Sequence, residues 1–156
     1  MITGLGVDIV EIDRMAAALR RHPRMKDRLF SAEEQAYCES RNRPEVHYAL
    51  RFAAKEAVLK ALGTGFSGMK FTDVEVARDA HGRPVPMLSG RAAEVAAGLD
   101  VIETHLSLSY THATAVASAV AIRRGGTGQA PGPAKQRAAE FKEARALLDE
   151  VEPPAS

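Results

Sequence analysis

Apolar residues at Ile12, Met15, Ala16 and Leu19 recur at three- and four-residue intervals, which predicts a helix from Glu11 to about Arg21, closed by Pro23. Ahead of it, ITGLGVDI at residues 2–9 mixes β-branched side chains with two glycines and predicts a strand that emerges at Asp8. Ser31-Ala-Glu-Glu opens a second helix as a capping box, because the serine hydroxyl and the Glu34 carboxylate can each take an orphan backbone N–H. That helix fades near Asn42. Pro44 suits the first turn of a third helix, whose strong helix formers run to Leu62 before Gly63 and Gly65 stop it.

Residues 70–88, KFTDVEVARDAHGRPVPML, read as a hairpin around an Asp-Ala-His-Gly turn, and Ser89 caps a short helix through Gly98. HLSLSY at 105–110 and ATAVASAVAI at 113–122 form a second antiparallel pair joined around Thr111 and His112. Residues 125–133, GGTGQAPGP, are a Gly/Pro linker. Beyond it Phe141, Ala144, Leu148 and Val151 keep helical spacing among alternating charges, which predicts a C-terminal helix from about Ala134 to Glu150. The order of elements, without an internal repeat, gives an α+β domain with mainly antiparallel strands.

With 156 residues, 46% of them hydrophobic, the chain can bury a core within one domain. A formal charge of +1 removes any global argument for nucleic acid or an anionic membrane. A lone cysteine, Cys38, and an N-terminus without a basic and apolar leader point to the cytoplasm. The uninterrupted apolar runs fall far short of the roughly 18 to 20 residues of a membrane span.

Chemistry concentrates in RFAAKEAVLKALGTG at 51–65. On a helical wheel Ala53, Ala54, Ala57 and Ala61 share one sector, Phe52, Leu59 and Leu62 another, and Glu56 and Lys60 fall between them. An alanine face lets a helix approach its neighbour closely, which would desolvate Glu56 and call for a cation or metal beside it. The simpler reading is an i,i+4 Glu-to-Lys pair on a solvated face. A metal needs a second carboxylate, for which Asp8 is the candidate, and two oxygen ligands with water and substrate phosphates describe how proteins hold magnesium. Asp8 serves equally as a cap for the helix that follows.

His105, Ser107 and Ser109 alternate with Leu106, Leu108 and Tyr110, so one strand face carries an imidazole and two hydroxyls. That row suits phosphate oxygens, as do Arg51 and Lys55; it is also what a strand face meeting water looks like. No G-x-S-x-G elbow supports a serine hydrolase. From Arg14 to Arg28 the cations Arg14, Arg20, Arg21, Arg24, Lys26 and Arg28 face one acid, Asp27. Such a segment fits an acidic protein surface, a nucleic-acid backbone or plain solvent, and without interleaved aromatics nucleic acid fits worst.

GVDIVEIDR at 6–14, RFAAKEAVLKALGTG at 51–65 and HLSLSYT at 105–111, with FSAEEQAY and the GRP turn in order between them, resemble the bacterial holo-acyl-carrier-protein synthases, the small trimeric class of 4'-phosphopantetheinyl transferases. The resemblance runs from Met1 to about Arg123. It implies a 4'-phosphopantetheinyl transferase fold, a mainly antiparallel sheet with a long central helix, over residues 1–124, to which 134–156 adds an extra helix. It also implies transfer of the phosphopantetheine arm from coenzyme A to a serine of apo acyl carrier protein, releasing 3',5'-ADP, in fatty acid or polyketide synthesis.

By the same resemblance Mg²⁺ lies on Asp8 and Glu56, and Lys60 meets the transferring phosphate. Arg51, His105 and Ser107 surround the coenzyme A phosphates. The acidic carrier protein is received by Arg14, Arg21 and Arg24, with Met15 or Leu19 as apolar grip. The proton of the attacking serine leaves through a metal-bound water or Glu56. The family's homotrimer shares its sites between subunits, so Asp8 and His105 need not share a chain with Glu56.

Two features depart from the family. Ser109-Tyr110-Thr111 stands where Ser-His-Thr is usual, with a histidine displaced to His112, and residues 124–156 exceed the usual length. The added helix reads either as a support, packing across the trimer, or as a regulator or partner dock. A non-catalytic coenzyme A-binding module and a basic protein–protein adaptor are the alternatives to an enzyme; neither explains why Asp8, Glu56 and Lys60 occur together.

Overall fold

Gly4 and Gly6 decide how the main sheet meets the longest helix. In the computed structural model, which describes residues 1–63, 68–125 and 145–148, the strand β1 (Ile2–Glu11) lies against the helix α4 (Pro44–Leu62). A Cβ on Gly4 would overlap the Ala61 carbonyl oxygen, and one on Gly6 that of Ala57. The alanine face predicted for α4 is therefore met by a glycine edge on the strand, and backbone packs on backbone. Gly6→Ala should cost about 1–3 kcal/mol or more, because β1 has to move off the helix. A urea melt checks this, and an unchanged midpoint would contradict the packing.

β5 (Thr114–Arg123) pairs antiparallel with β1 on one side and with β4 (Val101–Tyr110) on the other, giving the order β1-β5-β4. Ala115, Ala117, Ala119 and Ala121 of β5 point inward under α4, and their small side chains leave it room. β2 (Val74–Arg78) and β3 (Pro84–Leu88) form the expected hairpin, whose turn Asp79 ties by accepting the His81 and Arg83 backbone N–H groups at 2.8 and 2.9 Å. Around this core lie α1 (Ile12–Arg21), α2 (Met25–Leu29), α3 (Ala32–Glu39) and α5 (Gly90–Gly98). The α+β class holds.

Fifteen of the nineteen residues of α4 are buried, as expected for a helix with a sheet on one side and α1 and α3 on others. Lys55 is among them, which corrects its reading as a phosphate contact. Its ammonium lies 2.7 Å from Glu34 and donates to the Phe71 carbonyl at 3.1 Å, with no solvent exposure. The Ser31 capping box forms as expected, and Glu34 also accepts the Val76 N–H at 2.9 Å, so one carboxylate joins α3, α4 and β2. Cys38 is free and fully buried, and burial pushes its thiol up to about 12.

Several expectations need correction. β1 does not end at Asp8: its ladder with β5 runs on to Glu11 opposite Thr114, so Asp8 sits inside the strand opposite Ala117. α2 was not foreseen, because five residues with Met25 and Leu29 buried are too short to show a period. β4 begins at Val101, four residues early. Ser89 occupies the N-cap of α5 without a side-chain bond. Met15 is wholly buried and offers nothing to a carrier protein; Leu19, 9% exposed, lines an open groove with Ala16 and Tyr48.

Gly63 ends α4 in a left-handed conformation, φ 71°, as predicted. Gly65, the linker beyond Gly125 and most of the C-terminal helix lie outside the described residues. Of that helix, 145–148 is helical, and Leu148 joins the core of the main domain.

Candidate functional site

The pleat of β1 turns Gly6, Asp8 and Val10 inward and leaves Leu5, Val7 and Ile9 outside. Asp8 is thereby aimed at α4 two residues beyond the glycine contact, where Glu56 projects from the helix. Both carboxylates are buried, Asp8 at 5% exposure and Glu56 at 1%. Lys60, one turn after Glu56, reaches back to Asp8 Oδ1 at 2.9 Å and to the Val7 carbonyl at 2.9 Å. The i,i+4 pair with Glu56 is thus not what holds it.

Burial and the neighbouring Asp8 carboxylate push the Glu56 carboxyl well above the usual range, and a hydrogen bond shared with Asp8 adds to this; Arg145 and Lys60 oppose it only in part. Glu56 Oε1 is buried with no hydrogen-bond partner. Adjacent carboxylates of which one keeps an orphaned oxygen are a hard-oxygen donor set, and they fit Mg²⁺ completed by water and phosphate oxygens. Among the described residues there is no group of three or more His, Cys, Asp or Glu that could hold a metal.

A further cation had not been anticipated. Arg145, from the turn at 145–148, sets Nη1 3.3 Å from Asp8 Oδ2 and 3.5 Å from Glu56 Oε2, and Nη2 donates to the Ile9 carbonyl at 3.4 Å. Its spacing of three from Leu148 puts it beside the apolar stripe, which was the available signal. What it faces could not be read from the chain.

Arg51 lies elsewhere, buried, with its guanidinium 4.0 Å from the centre of the Tyr37 ring. Arg41 and Arg78 meet the same ring at 4.5 and 5.1 Å, and Arg78 also donates to the Tyr37 hydroxyl, so three cations gather there. Their positive field pulls the His47 pKa down, after the larger effect of burial.

His105, Ser107 and Ser109 do share the exposed face of β4, as period-2 spacing predicts. His105 Nε2 stands 3.0 Å from Glu103 Oε2, beside a cavity of about 570 Å³ lined also by Asp79, Arg83 and Pro86. Register explains why this face is not joined to the carboxylates. His105 pairs with Val120 and Ser107 with Ser118, positions that also oppose Leu5 and Val7 on the outer surface, whereas Asp8 and Ala117 point inward.

On the basic segment, Arg14 is half-buried beside Glu11 at 3.2 Å, and Arg21 and Arg24 are exposed. None of the described helices is long and apolar enough to cross a membrane.

The family description of the 4'-phosphopantetheinyl transferase superfamily matches residues 4–117. A holo-[acyl-carrier-protein] synthase of Moorella thermoacetica is 47% identical over 115 residues, 74% of this chain and 90% of that protein. The crystal structure of the holo-[acyl-carrier-protein] synthase of Neisseria meningitidis matches with a TM-score of 0.73 at 30% identity, over 79% of this chain and 100% of that one. A holo-(acyl-carrier-protein) synthase of Bacillus anthracis, solved in complex with CoA (3',5'-ADP), matches with a TM-score of 0.66 at 33% identity, over 80% of this chain and 99% of that one.

Proposed function

Since the chain belongs to the 4'-phosphopantetheinyl transferase superfamily, as one of its holo-[acyl-carrier-protein] synthases, we propose that it moves the phosphopantetheine arm of coenzyme A onto a serine hydroxyl of an acidic apo acyl carrier protein, with Mg²⁺ as cofactor and 3',5'-ADP as the other product. The observation that carries the magnesium reading is the buried Asp8 and Glu56 pair with its unpartnered Glu56 oxygen. When bound there, the ion supplies charge neutralisation to the pyrophosphate oxygens of the leaving nucleotide.

The remaining residues act as binders. Lys60 is the phosphate contact, its ammonium already held at the open side of the pair and about one-third exposed. Arg51, with Arg41 and Arg78 about Tyr37, forms a cationic group suited to a terminal phosphate, and Arg51 Nε keeps no partner of its own. His105, on the wall of a cavity large enough for a nucleotide, and Ser107, two residues along the same exposed strand face, present donors to further phosphate oxygens. Arg14, Arg21 and Arg24 receive the acidic carrier. The setting is cytoplasmic fatty acid synthesis.

The opposite orientation of Asp8 and His105 on one sheet supports a homotrimer in which a neighbour's His105 completes each site. Leu5, Val7 and Ile9, each more than half exposed on that outer face, give the apolar surface such an assembly would cover. Light scattering should find three copies together, and Val7→Lys should yield smaller species with far less activity. A fully active monomer would end this part of the reading.

The reaction itself is tested by incubating the protein with coenzyme A, Mg²⁺ and apo acyl carrier protein and weighing the carrier. A gain of one phosphopantetheine arm is expected. Several competent carriers left unmodified would overturn the assignment.

A further inference from the structure

Residues 145–148 lie beyond the stretch that the family description matches, yet one of their side chains sits on the carboxylate pair. The Arg145 Nη1 atom touches one oxygen of each carboxylate, from two different elements, which is the place a bridging cation takes. Both separations, 3.3 and 3.5 Å, exceed the roughly 2.7–2.9 Å of a strong charge-assisted hydrogen bond. The contact is a held charge rather than a locked fork, and Arg145 remains 35% exposed. A small divalent cation that takes both oxygens directly and keeps water on its other positions would displace it.

The anchor is separate from the contact. Leu148, 3% exposed, enters the core three residues on, so the turn is docked by apolar burial while the guanidinium is the part that meets the site. Between the two runs a cavity of about 200 Å³ lined by Ile9, Val10, Glu11 and Arg14. Arg145 therefore has space to leave the carboxylates without unpacking the strand, and the turn borders the first helix at Arg14.

We propose that Arg145 is an internal competitor for the divalent cation: the 145–148 turn and the metal hold Asp8 and Glu56 in alternation, so the turn caps the resting site and metal loading releases it. The proposal rests on the reading of Asp8 and Glu56 as the metal pair, and adds to it a regulatory role for a segment outside the family's match. Lys60 keeps its place on Asp8 Oδ1 in both states, because Arg145 uses the other oxygen.

The test is Mn²⁺ binding by calorimetry on the full chain without coenzyme A, with hydrogen exchange of residues 145–148 as a second measurement. Arg145→Ala should bind Mn²⁺ about tenfold more tightly, the ratio that a partly exposed charge contact supports. Arg145→Lys, which keeps the charge, should stay within about twofold of the parent. Leu148→Ala, which loosens the anchor and leaves the guanidinium, should shift binding the same way as Arg145→Ala. Amide protection of the turn should fall as Mn²⁺ saturates.

Equal Mn²⁺ affinity in the parent and Arg145→Ala, with Glu56→Gln abolishing binding, would overturn the competition and leave the metal pair standing. Undiminished protection of the turn at saturation would overturn it too. Mn²⁺ binding that persists in Glu56→Gln would instead remove the metal pair, and this proposal with it.

Discussion

Glu56→Gln is expected to lower phosphopantetheine transfer by roughly 10²- to 10³-fold while leaving the folded protein at least as stable as the parent. The two halves of this expectation have different causes. On the proposed magnesium reading, activity falls because an amide cannot supply the anionic oxygen that would hold the cation together with Asp8. Stability does not fall, because Glu56 contributes little to the fold: one oxygen has no hydrogen-bond partner, and what the carboxyl does meet is the like-charged Asp8 and, at 3.5 Å, Arg145. Burying an acid beside Asp8 is costly, so an isosteric amide relieves repulsion and desolvation together. Transfer rates at saturating Mg²⁺ and a thermal melt decide the matter. Loss of activity accompanied by loss of folding would assign Glu56 to structure, and full activity would remove it from the site.

Lys55→Met is expected to show the reverse pattern, a loss of about 3–5 kcal/mol of stability with the chemistry intact in whatever fraction remains folded. Burial depresses the Lys55 pKa even against the pull of Glu34, so the pair itself is no large source of stability. The cost arises from leaving Glu34 behind, 1% exposed and without its cation, at the junction of α3, α4 and β2. The double variant Glu34→Gln with Lys55→Met should recover most of that loss. It removes the stranded charge, and the amide oxygen can still accept from the Ser31 or Val76 backbone N–H. Urea unfolding of the three proteins forms the comparison, and a Lys55→Met midpoint within about 1 kcal/mol of the parent would contradict the buried pair.

These two neighbours on one helix show how far the sequence could be read. RFAAKEAVLKALGTG carries Lys55, Glu56 and Lys60 within six residues, and the period identified the helix and its alanine face. Nothing local distinguishes a cation bound for the core from one bound for the site, since the difference lies in what stands opposite. Glu34 faces Lys55 from 21 positions upstream and Asp8 faces Lys60 from 52. Asp8 was legible as a carboxylate near the end of a strand, but its exact place was not, because the strand's length is set by pairing with β5, more than a hundred residues away.

By itself the sequence determined the kinds of elements, their order and most of their caps, because periodicity, capping and helix-stopping glycines act within a few residues. It also determined the family through three ordered blocks, and the resemblance nominated Asp8, Glu56 and Lys60 as a set. Only the tertiary structure decided the sheet order that puts Asp8 and His105 on opposite faces, the glycine and alanine contact that brings β1 down onto α4, the burial of Lys55 and Met15, and the arrival of Arg145 at the carboxylates. Each of these depends on which distant segment closes against which. That choice is made by burial and close packing summed over the whole chain, which no local pattern records.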